Sequence, residues 1–283
     1  MEQVMSKDGT TIAFDRSGAG PTVILVGGGL DDGTENAALV PVLGRWFTVY
    51  NYARRGRGAS GDTAPYALER EIEDLDALVR VAGGPAHVFG ASSGGALALE
   101  AAAAGLAFDR IAVYEVPYAT DAEAVRRWAE YTAELAAVLA ENRRDEAIAL
   151  FMRLAGSSDE EIAGARASTF WPGLTALAPT LAYDAACLGD GRPPADRLAT
   201  VRQPVLVATG GRPDPHMSGL QPGFFDEAAD AITAALPNAE RRIVEGVSHV
   251  ADPERLGAVL GRFYTAGAAA SGGLTARPRS SGR

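Results

Sequence analysis

Short apolar runs alternate with helical patterns along the first part of the chain. The run at 22–26 is continuous and rich in β-branched residues, which is typical of a strand buried on both faces. Residues 10–16 alternate between polar and apolar positions, and 46–52 form a further strand-like run. Between such runs, 67–81 carry apolar side chains at helical spacing. This order predicts βαβ units and a mostly parallel central sheet flanked by helices.

The alternation stops after Pro117. Residues 121–187 hold helical patterns with no convincing strand between them, and strand patterns resume only beyond this block. We therefore predict an α/β core formed by residues 1–117 and 198–266. Residues 118–197 are predicted to be a helical cap inserted into that core.

Composition and charge narrow the class of protein. A length of 283 residues with 47% hydrophobic content fits one large domain, with or without an inserted cap. The net charge of −10 argues against nucleic acid and anionic membrane surfaces as partners. The single cysteine, Cys187, excludes an internal disulfide and favours a reducing compartment. Residues 267–283 bury too little apolar surface to order themselves, so we expect a flexible tail.

Two sequence features bear on where the protein is located. The N-terminus begins Met-Glu-Gln-Val, with no basic-then-apolar leader. No apolar run approaches the roughly 18 residues that a bilayer span requires. We expect a soluble cytoplasmic protein that acts on a small molecule. The oligomeric state stays open.

A Gly-x-Ser-x-Gly motif stands between an apolar run and an Ala/Leu-rich run. It comprises Gly90, Ser92 and Gly94, and its setting predicts a strand, a sharp turn and a helix. The glycines occupy positions where such a turn has no room for a Cβ. The turn would strain the backbone of Ser92 and expose its hydroxyl, while the helix N-terminus would direct N–H groups at a nearby anion.

In this setting the motif resembles the nucleophile elbow of the α/β-hydrolase superfamily. The resemblance covers about residues 10–264 and implies an α/β-hydrolase fold with a helical cap, a serine nucleophile and no cofactor or metal. The chain departs from the family pattern at Gly27, where histidine is usual, and at Ala91, where a larger residue is usual. Neither change removes a backbone donor. Both loosen the polar surroundings, so chemistry other than simple hydrolysis stays open.

A serine nucleophile needs a base, and the chain has three histidines. His87 opens the strand that leads to Ser92, at the wrong end of the sheet, and is predicted to be structural. His216 follows the strand at 205–209 and is a rival base. His249 lies just before the last predicted helix, which is where the resemblance places the base.

The resemblance also implies an orienting acid. Asp214, in a Gly-x-x-Asp segment after the strand preceding the base strand, fits first, and the order Ser92, Asp214, His249 is then the family's order. Glu115 is the alternative, one strand earlier, and Asp252 is a poorer one. The acid would stabilise the imidazolium while His249 moves the Ser92 proton to the leaving group.

The oxyanion of a tetrahedral intermediate needs two donors. The N–H of Ser93 is one candidate, and Gly29 or Gly28 is the other. The basic loop at 54–61 could bind an acidic substrate, although packing against the sheet edge is the simpler role for its arginines.

Together these features predict a cofactor-free serine hydrolase that cleaves an ester, thioester or lactone of a small apolar molecule through an acyl-enzyme on Ser92. A cyclase, lyase or perhydrolase with the same site is the alternative. There His249 would act mainly as a base and Ser92 as a hydrogen-bond donor. A non-catalytic binding module is the third possibility. The substrate itself is set by cap geometry, which the sequence does not reveal.

Overall fold

One eight-stranded sheet organises residues 1–266, the part of the chain described by this computed structural model. The strands are, in chain order, β1 (Glu2–Met5), β2 (Thr11–Gly18), β3 (Thr22–Val26), β4 (Thr48–Tyr52), β5 (Ala86–Ala91), β6 (Phe108–Tyr114), β7 (Val205–Gly210) and β8 (Ala239–Val244). Across the sheet they follow the order β1-β2-β4-β3-β5-β6-β7-β8. β2 runs antiparallel to β1 and β4, and the other neighbouring pairs are parallel. The predicted mostly parallel sheet is confirmed.

Helices cover both faces of the sheet. They are α1 (Val40–Leu43), α2 (Leu68–Val81), α3 (Ser93–Ala103), α4 (Ala122–Ala140), α5 (Arg144–Leu154), α6 (Asp159–Arg166), α7 (Trp171–Leu177), α8 (Leu181–Leu188), α9 (Ala195–Leu198), α10 (Phe224–Ala235) and α11 (Pro253–Thr265). Short 3-10 turns occupy Ala178–Thr180 and Pro215–Met217. Among residues 1–266, every helix is too short or too polar to cross a lipid bilayer.

The continuous apolar run of β3 is explained by burial on both faces. Ile24 and Val26 join the core cluster that includes side chains of α2 and α3. Val23 and Leu25 join the opposite cluster, which includes side chains of α1 and α11. Successive strand residues point to opposite faces, so a strand between two helical layers has no place for a polar side chain.

Two local features differ from the sequence pattern. β1 was not predicted because it is an edge strand whose four residues are exposed or half-buried, so it carries no hydrophobic signal. The helix expected over 35–43 is reduced to α1. Ahead of it, Asp31 Oδ1 accepts hydrogen bonds from the backbone N–H groups of Gly33 and Glu35 and holds the chain in turns instead.

Six helices, α4 to α9, lie between β6 and β7, and within the described chain no strand interrupts them. α8 packs against α3, the helix that follows Ser92, which brings the inserted helices over the carboxyl end of β5. The division into a core and a cap at residues 118–197 stays a prediction. The predicted flexible tail, 267–283, lies outside the described residues.

Candidate active site

Ser92 occupies the sharp turn between β5 and α3. Its φ of 51° and ψ of −125° are rarely adopted by a non-glycine residue. A Cβ on Gly90 would lie 2.4 Å from the carbonyl oxygen of Gly94, and one on Gly94 would lie 2.5 Å from that of Gly27. The turn therefore tolerates only glycine on either side of the serine, as the motif predicts.

His249 lies between β8 and α11, and it lines the same cavity as Ser92. Its Nδ1 is 2.6 Å from Glu115 Oε2, and the ring of Phe225 stacks on the imidazole with centroids 5.0 Å apart. Within residues 1–266 no hydrogen bond joins His249 to Ser92. Catalytic hydrogen bonds are often long without substrate and tighten in the substrate complex.

Glu115 follows directly after β6 and is almost fully buried. Its Oε1 accepts the backbone N–H of Gly210 at 2.7 Å while Oε2 meets the imidazole. Glu115 also has a positive φ, 47°, and such strained non-glycine conformations cluster at functional sites. Both oxygens are held, so the carboxylate fixes the orientation of the His249 ring.

The other two predicted acids serve different groups. Asp214 Oδ2 accepts the hydroxyl of Ser248 at 3.0 Å and the backbone N–H of Val250 at 3.4 Å, on either side of His249. Asp252 caps α11 by accepting the backbone N–H of Arg255. The expectation that Asp214 meets the imidazole is therefore corrected. β6 lies beside β7, and their parallel pairing brings Glu115 to the end of β7 and within reach of Nδ1.

The remaining histidines lie elsewhere. His87 stacks on Tyr264 with ring centroids 4.7 Å apart, and burial lowers the pKa of its imidazole. This position in the core agrees with the structural role predicted for it. His216 belongs to the 3-10 turn Pro215–Met217, and its side chain lies outside the described part of the chain.

The predicted oxyanion donors differ in availability. Ser93 begins α3, so its N–H is one of the helix-terminal donors without an intrahelical acceptor, and Ser93 lines the cavity together with Gly29. The N–H of Gly28 instead donates to Glu35 Oε2 at 2.6 Å. The oxyanion site stays a prediction. Ser93 and Gly29 remain its candidate donors, because the N–H of Gly28 already has a carboxylate acceptor.

A buried charged network beside Ser92 escaped the sequence analysis. Asp184 of α8 accepts three donors on Oδ1, each at 2.7 Å: Arg54 Nη1, Arg57 Nη2 and the hydroxyl of Ser93. Arg54 also forms a two-pronged ion pair with Glu71. Burial raises the pKa of Asp184, but Arg57 and Arg54 outweigh it, so that the pKa lies below its usual value.

The arginines of the loop after β4 therefore neither bind an exposed acidic substrate nor cover a sheet edge. A signal for their partners existed in α2, where Glu71 and Asp74 stand three residues apart on a face that is otherwise apolar. Asp74 pairs with Arg55 in the same way, at 2.7 Å. Acidic residues at core positions of a helix indicate buried cationic partners.

The cavity above Ser92 has mostly apolar walls. Its polar and charged side chains include Ser92, Ser93, Asp184 and His249, together with Arg127 and Arg153 of the inserted helices. The apolar lining includes Trp128, Tyr131, Phe151, Leu154, Leu181, Leu188, Leu220, Phe224 and Phe225. In residues 1–266, no three His, Cys, Asp or Glu side chains are grouped so as to hold a metal ion. An apolar pocket with a few convergent polar groups is the usual form of a small-molecule site.

A parallel sheet with a serine at a strained strand-to-helix turn, and a histidine held by a carboxylate at the same cavity, defines a member of the α/β-hydrolase class. The profile of the alpha/beta hydrolase family matches residues 22–259, and the chain belongs to that family. The predicted family and fold are thereby confirmed. Membership also supports hydrolase activity.

Solved structures agree with this assignment. An alpha/beta hydrolase from Sphaerobacter thermophilus DSM 20745 is 43% identical, with a TM-score of 0.82 over 93% of this chain and all of that one. A thermophilic esterase from Thermogutta terrifontis has a TM-score of 0.66 at 20% identity, over 93% and 97% of the two chains, and shares the fold.

A curated relative covers less of the chain. The uncharacterized hydrolase YraK of Bacillus subtilis is 33% identical over 96 residues, which is 32% of this chain and 35% of that protein. The match thus spans about a third of the relative's length.

Proposed function

We propose that this protein is a cofactor-free serine hydrolase that cleaves an ester, thioester or lactone of a small apolar molecule. The observation that carries the proposal is the shared cavity of Ser92 and His249, with Glu115 bonded to Nδ1 of the imidazole. That bond leaves Nε2 to accept the Ser92 proton. Glu115 takes the orienting role first expected of Asp214.

The chemistry follows in two halves. Ser92 Oγ attacks the carbonyl carbon as His249 takes its proton, and the N–H groups of Ser93 and Gly29 stabilise the oxyanion. His249 then protonates the leaving group, which departs from the acyl-enzyme. Water, deprotonated by the same imidazole, releases the acid and restores Ser92.

The partners and location belong to the same proposal. The apolar cavity walls favour a small-molecule substrate, and the acidic composition disfavours nucleic acid and anionic membranes as partners. A cytoplasmic location is consistent with the single cysteine, Cys187.

A fluorophosphonate probe tests the nucleophile. We expect labelling of the native protein, loss of labelling in Ser92→Ala, and retention in the matched control Ser17→Ala, an exposed serine on β2. The Ser92→Ala variant should also lose at least about 10⁴-fold of its ester hydrolysis. Folded protein that resists labelling and cleaves no ester would refute the proposal. Turnover that survives Ser92→Ala but is lost in His249→Ala would favour a cyclase, lyase or perhydrolase.

A further inference from the structure

One carboxylate oxygen in the cavity has no partner. Asp184 lines the cavity, its side chain is 7% exposed, and Oδ1 is saturated by three donors. Among the described residues, Oδ2 is fully buried without a hydrogen bond. A buried acceptor without a donor is costly, and such groups in native structures usually have a ligand or a water to meet.

The position of this oxygen relates it to the acyl part of a substrate. A Cβ on Gly29 would lie 3.5 Å from Asp184 Oδ2 and 3.4 Å from the Phe151 ring, while Ser93 donates its hydroxyl to the other oxygen. The Asp184 carboxylate thus lies next to Gly29 and Ser93, the two residues whose N–H groups are the candidate oxyanion donors. The leaving group must instead lie near His249, which protonates it.

The charges around Asp184 indicate whether the donor to Oδ2 is neutral or cationic. Arg54 and Arg57 balance Glu71 and Asp184, so these four ion-paired side chains are neutral as a set. Asp31 and Glu35 also lie near Arg57, and burial raises the pKa of both carboxyls, which favours their neutral forms. Cys187, beside Arg54, adds no charge because burial raises the pKa of its thiol to about 12. An ammonium group would add an unbalanced buried charge, whereas a neutral O–H or N–H group satisfies the acceptor without one.

We infer that Asp184 selects substrates whose acyl part carries a neutral hydrogen-bond donor, a hydroxyl or an amide N–H, within about two carbons of the reacting carbonyl. The assignment of the donor to the acyl part rests on the proposed function. The apolar walls around Phe151 and Leu181 accommodate the rest of that acyl group.

A matched series of phenyl esters tests the inference. Phenyl phenylacetate is the parent ester. Three esters add a hydrogen-bond donor to the acyl part: phenyl 2-hydroxy-2-phenylacetate, phenyl 3-hydroxy-3-phenylpropanoate and phenyl 2-acetamido-2-phenylacetate. Phenyl 2-methoxy-2-phenylacetate adds an acceptor only. Binding to Ser92→Ala protein, which leaves the ester intact, is measured by calorimetry. Turnover by the native enzyme is measured as kcat/KM.

At least one donor ester should bind Ser92→Ala protein roughly tenfold or more tightly than both the parent and the 2-methoxy ester, which corresponds to one hydrogen bond to a charged group. The ester that binds more tightly than the parent identifies the preferred donor as a hydroxyl or an amide N–H. The native kcat/KM should follow the same order.

Asp184→Asn gives the sharpest variant. Its amide oxygen must face Arg54 and Arg57, so its NH₂ faces the cavity as a donor, and the preference should move to the 2-methoxy ester. Asp74→Asn is the matched control, a buried carboxylate paired with Arg55 away from the cavity. It should leave the preference unchanged. If Asp184→Asn does not fold, Gly29→Ala takes its place, since the added methyl occupies the space beside Oδ2 and should abolish the preference.

Equal binding of parent and donor esters by Ser92→Ala protein would overturn the inference, and so would an undiminished preference in folded Asp184→Asn or in Gly29→Ala. A donor preference in binding without turnover of any ester would refute the proposed function and leave the donor site standing. Turnover of all esters at the same kcat/KM would support the proposed function and refute the donor site.

Discussion

Two buried carboxylates serve the cavity around Ser92, and they come from different regions of the molecule. Glu115, at the end of β6, is bonded to an imidazole that can gain and lose a proton. Asp184, on an inserted helix, is bonded to two guanidinium groups that stay charged. The group that each carboxylate is bonded to therefore decides what that carboxylate can do. In the proposed mechanism Glu115 supports proton transfer, whereas Asp184, by our inference, provides a fixed charge and a hydrogen-bond acceptor for the substrate.

The two carboxylates also differ in what they connect. Glu115 joins neighbouring strands of the sheet, since its other oxygen accepts the N–H of Gly210 at the end of β7. Asp184 joins the inserted helices to the core, because its donors are Arg54 and Arg57 from the loop after β4 and Ser93 from α3. Disturbing Glu115 should therefore affect chemistry, and disturbing Asp184 should affect the assembly of the site.

Glu115→Gln tests the first half of this comparison and has the largest expected effect. A glutamine cannot stabilise the imidazolium and can hold the ring in the wrong tautomer, so kcat should fall by about 10²–10⁴-fold. Asp214→Asn is the matched control. It keeps an acceptor for Ser248 and Val250, and kcat should fall by less than about tenfold because the imidazole keeps its carboxylate. Steady-state ester hydrolysis measures both.

The reverse order of effects would show that Asp214 orients the base in the working enzyme and that the contact of Glu115 is structural. Equal melting temperatures of the variants would establish that the activities compare folded proteins.

Asp184→Ala tests the second half. Removing this carboxylate leaves Arg54 and Arg57 buried with less compensation, and a broken buried ion pair costs about 3–5 kcal/mol. Urea denaturation should show a loss of this order in the free energy of unfolding. The control is Asp159→Ala, whose ion pair with Arg153 is exposed and should contribute little. Similar losses in both variants would contradict a structural link through Asp184.

The pH dependence of stability gives a smaller effect. Net attraction to Arg57 and Arg54 holds the pKa of Asp184 below its usual 3.8, so the unfolded chain binds the proton first as the pH falls. The stability that Asp184 provides is therefore complete above its unfolded pKa and is lost as the pH falls through its folded pKa. Urea denaturation from about pH 6 down to about pH 2, roughly two units above and two units below the usual pKa of 3.8, should show a shallower acid loss in Asp184→Asn than in the native protein. A steeper loss in the variant would contradict the assignment.

Local sequence was enough for the elbow and for much of the sheet. The turn at Ser92 depends on glycines within two residues of it, and the strands depend on which side chains can be buried on one face or two. His249 could be singled out because few histidines compete with it and because its position before the last helix resembles a known pattern. These features are set by short-range sterics and by burial, which the order of residues records directly.

Tertiary structure alone decided which groups meet. The carboxylate on His249 depends on which strands lie side by side, and that lateral order brings Glu115 to the imidazole and leaves Asp214 on the backbone beside it. The same holds for Asp184, which meets Ser93 across 91 residues of chain. Periodicity along a helix or strand records which face is buried, but not which distant side chain lies opposite that face, because that choice is made by the packing of whole elements.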